Sequence, residues 1–124
     1  MTAARLDTGR RAESLVAARL AAAGWALLER NARTRYGELD VVALDDLALV
    51  FIEVKAARAG SSLGPERPVE SIGPRKQRQV RRLATAWMAE RRGSLPRFEE
   101  IRFDAIGVTF GLGDPEVEHI RSAF

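Results

Sequence analysis

An α/β arrangement around a mostly β core is the fold class that the sequence predicts, and three observations predict it. Two segments carry apolar residues at helical spacing. Between and after them lie runs rich in β-branched residues, which gives the order helix, three strands, helix, two strands. The third observation is size: 124 residues with 46% hydrophobic content suffice for one core, so residues 1–124 are expected to form a single domain.

The first helix is expected over Thr8 to Ala23, with Thr8 as N-cap and Gly24 as the stop. Its apolar stripe is Ala12, Val16, Leu20 and Ala23, and Glu13 falls at the edge of that stripe. A carboxylate there either bends out to water or serves a partner. Trp25 to Asn31 reads as a strand, followed by a loop from Ala32 to Gly37. Glu38 to Leu44 and Leu47 to Lys55 read as a hairpin turning at Asp45-Asp46. Ala56 to Gly73, rich in Gly, Ser, Pro and Arg, is expected to be a mobile loop. Pro74 suits the first turn of a second helix running to about Arg92, with Gly93 behind it. Val80, Leu83, Ala84, Trp87 and Met88 form its core stripe, while Arg75, Arg78 and Arg82 gather opposite. Phe98 to Phe110 and Glu116 to Ile120 complete the strands.

Composition excludes several chemistries. With no cysteine and only His119, neither a thiolate nor a histidine cluster can hold zinc, so any metal must be held by oxygens, which magnesium and manganese prefer. No membrane-length apolar run is present and Met1 to Arg11 has no signal core, so a cytoplasmic protein without membrane contact is expected. The net charge of +3 is unevenly distributed: residues 1–37 carry +4, 38–55 carry −4, 56–97 carry +7 and 98–124 carry −4. An acidic segment between basic flanks would attract a polyanion while keeping carboxylates for a cation. The alternative reading is that eighteen Arg against two Lys reflect genomic base composition and say nothing about partners.

The hairpin carries the chemistry. A turn at Asp45-Asp46 sets Leu44 opposite Leu47, Asp40 opposite Phe51 and Glu38 opposite Glu53. Glu38, Asp40, Glu53 and Lys55 then share one side of the sheet, with Asp40 and Glu53 as diagonal neighbours. Glu53 ends a strand that is otherwise apolar on both faces, and an unpaired buried charge costs several kcal/mol. An ion pair of Glu53 or of Asp40 with Lys55 at the sheet rim would offset it. So would a divalent cation held by Asp40 and Glu53, with the Lys55 ammonium near a metal-bound water or the scissile phosphate.

Asp40, then Glu53-Val54-Lys55 after twelve intervening residues, on a hairpin preceded by a Glu-bearing helix, resembles the PD-(D/E)xK nucleases, the restriction-endonuclease-like group. Over nearly its whole length the chain is similar to YraN-type endonuclease-like proteins of bacteria. The segments that carry this are Gly9 to Glu13, Gly37 to Ala43, Val50 to Lys55, Pro74 to Gln77, Arg102 to Asp104 and Val117 to Phe124. Leu39 stands where the group's motif has proline. The resemblance implies a restriction-endonuclease-like fold, a central mixed β-sheet flanked by helices. It also implies hydrolysis of nucleic-acid phosphodiester bonds, with DNA the expected substrate and Mg2+ or Mn2+ the cofactor. Asp40 and Glu53 match the two metal-binding acids, Lys55 the lysine and Glu13 the helix acid, and the backbone carbonyl of Val54 would join the metal shell. Arg75, Lys76, Arg78 and Arg82 either grip the phosphate backbone or form the solvated side of their helix. Trp25 and Trp87 lie on apolar patterns and are expected in the core rather than as base-stacking platforms, and His119 is expected to be structural or at the surface. A homodimer would allow both strands to be cut. A nucleic-acid-binding or protein-interaction module that cuts nothing remains the alternative.

Overall fold

The computed structural model describes residues 3–61, 65 and 67–124, with side chains from Asp7 onward. Helix α1 spans Ala3–Ala22, β1 Ala26–Thr34, β2 Gly37–Asp45 and β3 Ala48–Arg58. A single 3-10 turn at Pro68–Ser71 leads into α2, Pro74–Glu90, and then β4, Glu100–Phe110, and β5, Glu116–Ile120. The five strands form one sheet in the order β1-β2-β3-β4-β5. Only β3 and β4 pair in parallel, joined by the crossover that contains α2, so the sheet is mixed.

Two helices cover the two faces, as expected of an α/β domain. Ala12, Val16 and Leu20 of α1 pack on Val41, Ala43, Val50, Ile52, Ile106 and Val108. Val80, Leu83, Ala84 and Trp87 of α2 pack on Leu39, Leu49, Phe51 and Phe103 on the other side. Alternate residues of β3 therefore serve opposite cores, which is why its sequence is apolar without interruption. Trp25 and Trp87 are both buried, as expected.

Several boundaries differ from expectation. Helix α1 begins at Ala3, so Thr8 is not a cap: it is buried within the helix, and the Arg58 guanidinium donates to its hydroxyl at 3.3 Å. The stop is where it was expected, at Gly24 with φ +91°, where the Trp25 N–H reaches the Leu20 carbonyl. Strand β1 continues through Thr34 into the expected loop. The span 56–73 is partly ordered structure, because β3 runs to Arg58 and Pro68 and Val69 are buried in the 3-10 turn. Residues 62–64 and 66 of that span lie outside the described residues.

The hairpin turn lies one residue further on than expected. Asp45 pairs with Ala48, leaving Asp46-Leu47 as the loop with Asp46 at φ +53°. Aspartate tolerates that left-handed conformation. Asp45 is instead consumed by ion pairs, 3.0 Å from Arg102 and 3.6 Å from Arg121. The register consequently slips by two residues, so that Leu44 faces Leu49 and Val42 faces Phe51. A two-residue slip leaves every side chain on its expected face but changes who faces whom.

Candidate active site at a fork between two strands

Pairing between β2 and β3 ends at Val41 and Ile52, one residue short of Asp40 and Glu53. Beyond that point β2 continues with β1 as far as Gly37 and Thr34, and β3 continues with β4 as far as Arg58 and Phe110. The two strands separate, and Asp40 and Glu53 stand at the opening. They are not diagonal neighbours, since the observed register brings them to the same level. The fork releases the Val54 N–H from a cross-strand carbonyl, and the Asp40 carboxylate accepts it at 2.8 Å. Val54 is thus tied into the site through its N–H.

Glu53 is 5% exposed, yet no strand partner neutralises it. Two amines do: Lys55 Nζ lies 3.7 Å and Lys76 Nζ 3.4 Å from Glu53 Oε1. Lys55 shares its strand face, and Lys76 enters from the first turn of α2. Even so, burial and then the neighbouring Asp40 charge push the Glu53 carboxyl up to about 7. Burial also raises Asp40, against the Val54 N–H and the two lysines, which favour its charged form. The two carboxyls titrate as a coupled pair, and burial makes both resist ionisation. Glu13, on α1, is raised by its burial and by the Asp40 charge, and lowered by Arg30 and by a hydrogen bond with Asn31. It faces the acids electrostatically without joining them. Glu38 does not lie opposite Glu53: it is exposed and pairs with Arg33 at 3.2 Å.

Among the described residues no group of three acids or histidines is close enough to hold a metal ion. Asp40 and Glu53 remain as a two-carboxylate donor set. Two carboxylates suit magnesium, which keeps several waters and is often bound by one or two acids together with substrate phosphates. Both groups resist ionisation, so a cation would relieve the burial cost that the lysines only partly offset.

The remaining basic residues divide. Arg75, Arg78 and Arg82 are exposed on α2, whereas Lys76 turns inward to Glu53. Arg82 lies over the ring of Tyr36, and Arg81 over that of Phe103, at 4.3 and 4.6 Å.

One charged group went unassigned from the sequence. Asp104, fully buried, accepts both arms of Arg102 at 2.9 and 3.0 Å, the Ser122 N–H at 3.1 Å, and His119 Nε2 at 2.8 Å. His119 is thereby structural, as one of the two expected roles had it. The network fastens β5 and the chain end to the sheet. An acid inside an apolar strand, two residues after Arg102 and therefore on the same face, is its signal in the sequence.

The sequence model of the family described as "Uncharacterised protein family UPF0102" matches residues 12–108. A UPF0102 protein of Anaeromyxobacter dehalogenans (strain 2CP-C) is 48% identical over 120 residues, covering 97% of this chain and 85% of its own. One from Rhodococcus opacus (strain B4) is 40% identical over 120 residues, covering 96% and 97%. Another, from Syntrophotalea carbinolica (strain DSM 2380 / NBRC 103641 / GraBd1), is 45% identical over 124 residues, covering 100% and 96%.

Proposed function

This chain belongs to the UPF0102 family, the YraN-type group it resembles in sequence, and from the geometry of its site we propose that it is a metal-dependent phosphodiesterase that cuts nucleic acid internally, with DNA as substrate. The observation that carries this reading is the pairing of Asp40 and Glu53 at the mouth of a strand fork, both resisting ionisation, with two ammonium groups against Glu53. Such a cluster costs stability, and a site that stores that cost is suited to chemistry that repays it.

Asp40 and Glu53 would hold Mg2+ or Mn2+, which supplies Lewis acidity and an activated nucleophile when bound. The protein's own groups do the positioning. Asp40 is oriented by the Val54 N–H, which fixes one oxygen and leaves the other to the site. Lys55 and Lys76, both beside Glu53, would face the phosphate oxygens on which charge grows during displacement. Lys55 and Lys76 are each about one-third exposed, so they reach solvent from the site's rim. Glu13 completes the negative potential from α1.

Asp40→Asn, Glu53→Gln and Lys55→Met are each expected to abolish magnesium- or manganese-dependent nicking of a plasmid while leaving circular dichroism intact. Undiminished nicking by all three would dispose of the proposal. A second reading has one observation in its favour: Glu53 already has two cationic partners and, among the described residues, no third acid closes the set. On that reading the fork is a charge-balanced relic in a nucleic-acid-binding module that cuts nothing. Calorimetric titration with manganese separates the two, since only the first predicts heat that is lost in Asp40→Asn.

A further inference from the structure

The turn between β1 and β2 displays the chain's single tyrosine. Tyr36 is 47% exposed, one of three large hydrophobic residues so exposed among the described residues. Two cations attend its ring: the Arg82 guanidinium lies 4.3 Å from the centroid and that of Arg35 lies 5.3 Å away. Together they open onto a groove of about 500 Å³ against α2, floored by Ala86 and Ala89 and bounded by Glu90.

The platform is held rigidly. Thr34 Oγ1 donates to the Gly37 carbonyl at 2.8 Å and accepts the Tyr36 N–H at 3.1 Å, so one hydroxyl closes the turn from both ends. The Arg35 N–H is directed at Glu90 at 3.4 Å, which ties the turn to α2. Gly37 has φ +141°, and a Cβ there would come within 3.3 Å of Leu83. A tyrosine on so constrained a turn loses little freedom when something stacks on it.

From this juxtaposition we infer that Tyr36, with Arg35 and Arg82, is a stacking site for an unpaired nucleobase, so that the substrate engaged is single-stranded or branched rather than continuous duplex. Aromatic rings stack on any base, and the guanidinium groups already over the half-exposed Tyr36 ring can themselves stack on bases and neutralise flanking phosphates. The location fits. Tyr36, in the turn, lies four residues before Asp40 of β2, about 13 Å at extended spacing. Arg82 lies six residues from Lys76 along α2, about 9 Å. A base parked on Tyr36 would place neighbouring phosphates along the line from the turn to the fork. This specificity deepens the nuclease reading and rests on it for its consequence, but the binding event does not require cleavage.

The test uses the full chain in EDTA with its one tyrosine ring isotopically labelled, so that a single ring signal is followed by NMR. The probes are an oligodeoxythymidine of about ten nucleotides, an abasic phosphodiester oligomer of equal length, and a blunt duplex. The thymidine oligomer is expected to shift the ring signal and to bind more tightly than the abasic one. Tyr36→Ala should weaken its binding about tenfold, with abasic binding unchanged, and Tyr36→Phe should retain it. Equal affinity for the thymidine and abasic oligomers, or Tyr36→Ala binding as well as the unaltered chain, would overturn the inference. Cleavage lost in Glu53→Gln would then still stand by itself. Conversely, Tyr36-dependent binding by a chain that never cuts would leave the stacking site and remove the nuclease.

Discussion

Glu53→Gln tests the electrostatics of the fork without reference to any substrate. Glutamine keeps the size of the side chain and removes its titration. In the folded chain the carboxyl sits at about 7 against an ordinary value of 4.5, a difference worth about 3 kcal/mol. Because the folded value is the higher, the folded state holds its proton where the unfolded chain has released it. The stabilising contribution of Glu53 is therefore full below pH 4.5 and is lost as pH rises to 7. Above that pH the ionised, buried group is a net cost, even with Lys55 and Lys76 at hand. Urea denaturation in EDTA at pH 4.5 and at pH 8 is the assay. The variant is expected to match the unaltered chain at the lower pH and to exceed it by about 2–3 kcal/mol at the higher. Because the comparison is between differences, other titrating groups largely cancel. A difference between the two proteins that does not change with pH would refute the argument that burial and Asp40 oppose ionisation there. Magnesium adds a second arm: if Asp40 and Glu53 take up a cation, it should raise the stability of the unaltered chain at pH 8 and leave Glu53→Gln nearly unmoved.

Asp104→Ala is expected to cost about 3–5 kcal/mol, since Arg102, His119 and the Ser122 N–H lose a shared acceptor; thermal unfolding measures it. The Asp104 carboxyl is opposed by its burial and is still lowered overall, by His119, Arg102 and Ser122. Its contribution is therefore present above about pH 4 and lost as pH falls further, which is the opposite sense from Glu53. Gly107→Ala would bring a methyl to 3.0 Å of Val69 and 3.3 Å of Pro68, and is expected to cost about 1–3 kcal/mol by prising the 3-10 turn off β4. Protection of the Val69 to Ser71 amides against hydrogen exchange should fall with it. Replacing exposed Arg75 and Arg78 together with alanine should flatten the salt dependence of DNA affinity by about 1–2 in the logarithmic slope if both contact phosphates, and an unaltered slope assigns them to the solvated face of α2.

The parts of this molecule legible in its sequence are those governed by local pattern. The α2 stripe buries Val80, Leu83, Ala84 and Trp87 because a 3.6-residue period has only one way to meet a sheet. Strand β5 has the limits its alternation implied. The hairpin shows where local pattern fails and why the failure does little harm. Asp45-Asp46 is the turn that propensity favours, but Asp45 joins the strand and pairs with Arg102, fifty-seven residues away in sequence. The error is two residues of register, and parity protects the faces, so Asp40, Glu53 and Lys55 meet as the sequence implied although their opposite numbers do not.

Lys76 and Tyr36 belong to a different category, because each takes its role from an element remote in sequence. Lys76 sits among arginines at the start of α2 and reads as one more surface cation; only the crossover from β3 to β4 brings that first turn over Glu53. Tyr36 lies in an arginine-rich stretch that reads as a loop, and its meaning depends on Arg82 arriving from α2. Both depend on the same packing of α2 against the sheet. A substitution that tilts α2, such as truncation of Leu83 beneath Gly37, should loosen the Lys76 pairing and the Tyr36 platform together. Leu83→Ala is accordingly expected to lose about 2–5 kcal/mol of stability and to weaken oligodeoxythymidine binding without touching any charged group. If binding survives intact in a chain so destabilised, α2 does not align the turn with the fork, and the two sites act separately.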